Sequence, residues 1–253
     1  MRIDLNSDLG EAFGPWPMGQ DAQLMPLISS ANVACGFHAG DPATMRATVR
    51  LARRHGVAVG AHPGFPDLVG FGRRDMQVAP ADVEALVLYQ IGALAAIAKS
   101  EGVALQHVKA HGALYTMACR DEALAEAIAR AVLAVDPTLV LVGLPESALI
   151  QAGLDAGLPV AAEAFADRAY LPDGSLAPRS QAGSVIHDVD TVVARAIAMV
   201  TESSVVATDG TRIRFEADTL CLHGDTPGAV TLAGAIRRGL EDAGVGIAPL
   251  TRR

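Results

Sequence analysis

The sequence predicts an α/β fold, a seven-stranded parallel βα barrel forming a single domain over residues 1–253. Three observations predict it. Strand-like and helix-like segments alternate along the whole length, as a largely parallel sheet requires. A helix end, a glycine and a short apolar strand recur around Gly56, Gly102 and Gly157, each glycine suiting the left-handed position past a helix C-terminus. Polar, chemistry-bearing residues stand at the end of nearly every strand. An open sheet would gather them at one switch point, whereas a closed barrel carries them all round its C-terminal face.

The elements follow in order. Residues 2–8 alternate, with Asp4, Asn6 and Asp8 on one face and Ile3 and Leu5 on the other. Residues 30–36 form a second strand that runs into His38, set between Gly36 and Gly40; such glycines would let backbone approach a ligand closely. Asp41 and Pro42 read as an N-cap with proline at the first helical position, and that helix ends at "RRHG". The third strand, 57–62, ends in His62. Residues 82–101 place Val83, Leu86, Val87, Leu94 and Ile97 on one helical stripe. In strand 106–111, His107, Lys109 and His111 share a face opposite Val108 and Ala110. Helices at 121–135 and 146–156 flank a strand at 139–144, and strand 159–165 carries Glu163. After a helix at 188–202, Asp209 and Gly210 mark a hairpin turn within 205–217. Strand 219–223 sets Cys221 and His223 opposite Leu220 and Leu222, and a helix at 229–243 follows.

Composition excludes several classes. Hydrophobic residues make up 51% and charged residues 19%, which excludes disordered and fibrous chains. A net charge of −8 and a pI near 5.3 argue against nucleic acid or an anionic membrane as partner. The longest nearly apolar stretch, 85–98, is shorter than the ~20 residues of a membrane span. The N-terminus is polar and acidic where a signal peptide needs an apolar core. Cys35, Cys119 and Cys221 are too widely spaced for a disulfide framework or a zinc motif. The expectation is a cytoplasmic protein. No GxxxxGK[ST], GxGxxG or GxSxG pattern occurs, which disfavours a P-loop, a Rossmann cofactor site and a serine-hydrolase elbow.

The strand ends define a candidate site of Asp8, His38, His62, Lys109, His111, Glu163 and His223. Singly, each has a structural explanation. Asp41 is a helix cap, His55 a surface residue at a helix end, Cys35 a buried small side chain, and His107 a satisfied core histidine. Lys109 and Glu163 could each pair purely for structure. Burying so many ionisable groups for stability alone is costly, so their convergence points to a site. Two arginine-bearing stretches, 60–75, rich in glycine, proline and phenylalanine, with Arg73 and Arg74, and 163–179 with Arg168 and Arg179, could close over it and bind a carboxylate or phosphate.

The stretches "DLNSDLGEAFG" (4–14), "ANVACGFHAGDP" (31–42), "GAHPGFPDLVGFGRRD" (60–75), "HVKAHGALY" (107–115), "EAFADRAYLPDGSLAPR" (163–179) and "LHGDTP" (222–227) resemble the LamB/YcsF family, in order and over almost the whole chain. The family pattern usually has cysteine where Ser7 stands and proline where Ala110 stands; Ser7 weakens any proposal for a nucleophilic cysteine there. The resemblance implies a glycoside hydrolase/deacetylase-like barrel and the ATP-dependent opening of the lactam of 5-oxo-L-proline to L-glutamate, together with 5-oxoprolinase subunits B and C. Activation by ATP is then expected to lie largely with the partners, this chain binding 5-oxoproline or its phosphorylated form. Asp8 and Glu163 become candidate bases for water, with His38, His62 or His111 carrying protons and Lys109 stabilising negative charge. Arg168 or Arg179 would hold the substrate carboxylate, Asn6 and Asn32 would orient the amide, and His223 and Asp225 would complete the rim. The alternative is a stand-alone metal-dependent deacetylase or amidohydrolase, with Asp8, His62 and His111 as candidate ligands of a divalent ion, although no HxxH or HExxH spacing supports it. A third reading is a non-catalytic protein that presents a small acid.

Overall fold

The computed structural model describes residues 1–222 and 228–251. Seven parallel strands close into a barrel: β1 (Arg2–Leu9), β2 (Ser30–Ala34), β3 (Ala58–His62), β4 (Leu105–Lys109), β5 (Val140–Gly143), β6 (Val160–Phe165) and, after a hairpin, β9 (Thr219–Leu222), which pairs with both β6 and β1. All seven predicted strands are present. The hairpin is β7 (Ser204–Val206) against β8 (Arg212–Arg214), turning at Asp209 and Gly210 as expected. A two-residue strand, β10 (Gly246–Ile247), adds to the start of β1.

The helices pack outside. In chain order they are α1 (Asp21–Leu24), α2 (Pro42–His55), α3 (Pro80–Ser100), α4 (Gly112–Ala118), α5 (Glu122–Val135), α6 (Ala148–Asp155), α7 (Val189–Thr201) and α8 (Ala229–Asp242). Their ends obey local chemistry. The Asp41 carboxylate accepts from the Ala43 and Thr44 amides and opens α2, while Gly56 ends it with a left-handed φ of 68°. Asp121, Ser147 and Asp188 cap α5, α6 and α7 in the same way. α3 is long and apolar enough, by length and composition, to cross a membrane. In this fold it buries Val83, Val87, Ile91, Leu94 and Ala98 and packs beside α5, β3 and β4.

Strand alternation sorts the two faces. Ile3, Leu5, Val33, Val59, Val108, Leu141, Ala164 and Leu220 are buried in the core between barrel and helices. The inward face is polar: Asp4, Asn6, Asn32, His107, Lys109 and Glu163 are all buried. Space there is short. Gly60 lies between Asn32 and His107 in the pairing, and a Cβ at Gly60 would run into the His107 ring. At β5 and β6 the interior is instead apolar, with Val140, Val142 and Ala161 clustered and Leu250 packed against them.

The Gly36–Gly40 turn is built on two glycines with positive φ, 97° and 78°, and a Cβ at Gly40 would lie 2.7 Å from the Gly10 carbonyl oxygen, so Gly40 lets this loop pack tightly onto the neighbouring backbone.

Candidate active site

The C-terminal ends of β1, β4 and β6 meet around one ammonium group. Lys109 Nζ lies 2.8 Å from Glu163 Oε1 and 3.0 Å from Asp8 Oδ1, and it also reaches Asn6 Oδ1 and Cys221 Sγ. Burial opposes the charge on Lys109, but the carboxylates of Asp8 and Glu163 outweigh it and hold the amine well above its ordinary value. The lysine is therefore a fixed cation at neutral pH. Burial and the neighbouring lysine drive the Cys221 thiol in opposite directions; burial wins and raises it well above a free thiol, so it stays protonated.

Beneath this pair runs a closed amide network. Asn32 Nδ2 donates to Asp8 Oδ1 (2.8 Å) and Asn6 Oδ1 (2.7 Å), and Asn6 Nδ2 donates to Glu163 Oε1 and Thr219 Oγ1. His107 Nε2 donates to Asn32 Oδ1 at 2.7 Å, but its buried Nδ1 has no hydrogen-bond partner among the described residues, so His107 is a core histidine satisfied on one nitrogen only. Burial first, then Lys109, lowers His107 to about 3. Asp4, at the base, is raised to about 6 by burial despite hydrogen bonds from Ser30, Thr219 and Ser29.

On the other side of Asp8 stands a group of imidazoles. His62 Nε2 lies 3.4 Å from Asp8 Oδ2, and His111 Nδ1 lies 3.0 Å from His62 Nε2. His38 stacks face to face on His111, with ring centroids 3.7 Å apart. Burial, then the neighbouring histidines, lowers His38 and His111 well below the ordinary imidazole value. Glu11 lies 3.6 Å from both His38 Nε2 and His111 Nδ1.

These groups floor a cavity of about 1000 Å³. Asp8, His62, Lys109 and His111 line it, and arginines 73, 120, 168, 179 and 214 stand in its wall. The loop after β6 and the β7–β8 hairpin form much of the rest, with Tyr170, Leu176, Ile213 and Phe215.

The structure thus separates the predicted residues by depth. Asp8, His62, Lys109 and His111 reach the cavity, whereas His38 and Glu163 lie beneath it and are fully buried. Glu163 anchors Lys109, and of these two partners of Lys109 it is Asp8 that faces the cavity. Asn6 and Asn32, expected to orient a substrate amide, spend their hydrogen bonds on the protein; they orient Asp8, Glu163 and Lys109 instead. Arg168 lines the cavity, yet its guanidinium donates to the Ser184 and Ala177 carbonyls and fastens the loop. Burial, then Arg179, lowers it to about 10. Arg179 remains in the wall. His223 and Asp225 lie outside the described residues. Two residues escaped the sequence reading: Glu11, an acid three positions beyond Asp8, and Tyr115 on α4, whose buried phenol sits beside Glu163 and is raised well above its usual value by burial and that neighbour.

The architecture is that of a closed seven-stranded βα barrel with its ionisable groups at the C-terminal mouth. A deacetylase solved with its substrate superposes with a TM-score of 0.51 over 98% of this chain and 87% of that one at 15% identity, a likeness of fold alone. The model of the LamB/YcsF family matches residues 3–253, and the chain belongs to that family. A lactam utilization protein from Thermus thermophilus, solved by crystallography, matches with a TM-score of 0.94 and 54% identity, covering 99% of this chain and 100% of that one. The 5-oxoprolinase A subunit of Syntrophobacter fumaroxidans is 56% identical over 245 residues, 97% of each chain. That of Thermus thermophilus is 56% identical over 97% of this chain and 98% of its own.

Proposed function

We propose that this chain is the A subunit of an ATP-dependent 5-oxoprolinase, opening the lactam of 5-oxo-L-proline to L-glutamate together with subunits B and C. The observation that carries the reading is the buried Lys109–Asp8 pair on the floor of an arginine-walled cavity, in a chain whose full-length relatives bear that name.

A lactam carbonyl is a poor electrophile, and transfer of the γ-phosphoryl group of ATP to its oxygen activates it. Water then adds to the former carbonyl carbon, the C–N bond breaks as the nitrogen takes a proton, and the resulting acyl phosphate is cleaved by a second water. Asp8, which is open to the cavity, takes the proton from water and returns it to the nitrogen as the C–N bond breaks. Lys109 stabilises negative charge on the phosphorylated oxygen and on the tetrahedral carbon's substituents. Arg179 and Arg73 are the wall cations suited to the substrate carboxylate and the phosphoryl group. No phosphate-binding loop occurs in the sequence, so phosphoryl transfer is assigned to the assembled complex.

The test mixes the purified chain with its candidate B and C partners and follows glutamate release from 5-oxoproline, omitting ATP or one of the three proteins in turn. Glutamate that needs ATP and all three chains is expected. Amide hydrolysis or deacetylation by the chain alone, without ATP, would replace this reading with that of a stand-alone amidohydrolase.

A further inference from the structure

Two imidazoles in the site have their tautomers fixed from outside. His62 Nδ1 lies 2.7 Å from the Lys109 carbonyl oxygen, and His111 Nε2 lies 2.8 Å from the Phe71 carbonyl oxygen. A carbonyl only accepts, so each of these nitrogens carries hydrogen. In the neutral rings the other nitrogens, His62 Nε2 and His111 Nδ1, then hold lone pairs, and these face each other at 3.0 Å. Such an arrangement needs a cation beside it.

Two further observations identify the cation's other contacts. His38 is fully buried, and neither of its ring nitrogens has a hydrogen-bond partner among the described residues; a buried donor–acceptor group in that state calls for a ligand. Glu11 brings a carboxylate oxygen to 3.6 Å from both His38 Nε2 and His111 Nδ1. Donor atoms of Glu11, His38, His62 and His111 all lie within 4.8 Å of one another.

We propose that Glu11, His38, His62 and His111 form a binding site for one divalent transition-metal ion of the zinc class. Three imidazoles and one carboxylate suit Zn²⁺, Co²⁺ or Mn²⁺ better than Mg²⁺ or Ca²⁺, which take oxygen donors almost exclusively. The Lys109 and Phe71 carbonyls are the outer partners that fix ligand rings in known metal sites. Entry is open, because His62 and His111 line the cavity. The site does not depend on 5-oxoproline being the substrate.

The experiment uses the whole chain, stripped with chelator and dialysed. Calorimetric titration with Zn²⁺ is expected to show one ion per chain, and Co²⁺ to give ligand-field absorption bands in the visible. X-ray absorption of the zinc-loaded protein should count three imidazoles. Glu11→Gln and His111→Ala should each weaken binding at least about tenfold, by analogy with the loss of lesser partners, with circular dichroism reporting that the variants fold. Should a variant not fold, the imidazole count on the unaltered protein decides alone. A folded wild-type chain that binds none of Zn²⁺, Co²⁺ or Mn²⁺ stoichiometrically, or a zinc ion seen with fewer than three imidazoles, overturns the proposal. So would nitrogen NMR showing one proton shared between His62 and His111 at saturating Zn²⁺.

Discussion

Single residues in the barrel interior carry much of the pH dependence. His107 titrates near 3 in the folded chain against an ordinary value of 6.5, because burial and Lys109 penalise its charged form. As pH falls below 6.5 the unfolded chain gains this proton and the folded chain does not, so stability is lost through that window, by up to about 1.4 kcal/mol per pH unit. Asp4 acts oppositely. Its folded value of about 6 against 3.8 means that its protonated form favours the fold, so it regains stability as pH falls from about 6 to 4. His107→Gln keeps a donor toward Asn32 and removes one titration. Urea midpoints of this variant between pH 6.5 and 4 should fall less steeply than those of the wild type, or even rise as Asp4 protonates. An unchanged slope would show that His107 already titrates normally.

At the scale of elements, the loop after β6 is held to the barrel by Arg168. Its guanidinium satisfies two loop carbonyls, and its own carbonyl accepts from Arg195. Arg168→Met takes the guanidinium donor from the Ala177 carbonyl and one of two donors from the Ser184 carbonyl, which keeps the Ala169 amide, at a cost of about 1–3 kcal/mol. The loop should then open more often, and tryptic cleavage after Arg179 should quicken by about tenfold for each 1.4 kcal/mol lost. Equal cleavage rates would mean that Arg168 does not hold the loop. The main elements were legible in the sequence because their signals are local: alternation for strands, Asp41 as the cap of α2, Asp209–Gly210 for the hairpin. α4 was not. It starts directly after His111 without a side-chain cap and has seven residues, too few for a periodic stripe. β10 has two residues and exists only by pairing with β1.

Across the whole molecule, strand parity revealed which residues face the barrel axis but not how deep each one sits. Depth depends on stagger, which pairs Asp8 with Asn32, Asn6 with Cys221 and Glu163 with Thr219, and stagger is a property of the closed barrel. Hence Glu163 and Asp8 looked equivalent in sequence, although one is sealed beneath Lys109 and the other faces the cavity. Arg168 and Arg179 were likewise indistinguishable until the loop carbonyls were in place. Glu11 lies beyond the end of β1, where alternation no longer reports direction. The central claim is that Lys109 and Asp8 open the ring. Its most direct test is glutamate release from 5-oxoproline by the complete complex with ATP, carrying Asp8→Asn or Lys109→Met in this chain. Each should lower turnover at least about a hundredfold, the low end of what a positioned base or charge-stabilising group contributes, in complexes that still assemble. Turnover within a few-fold of the wild type in either assembled variant would contradict the account.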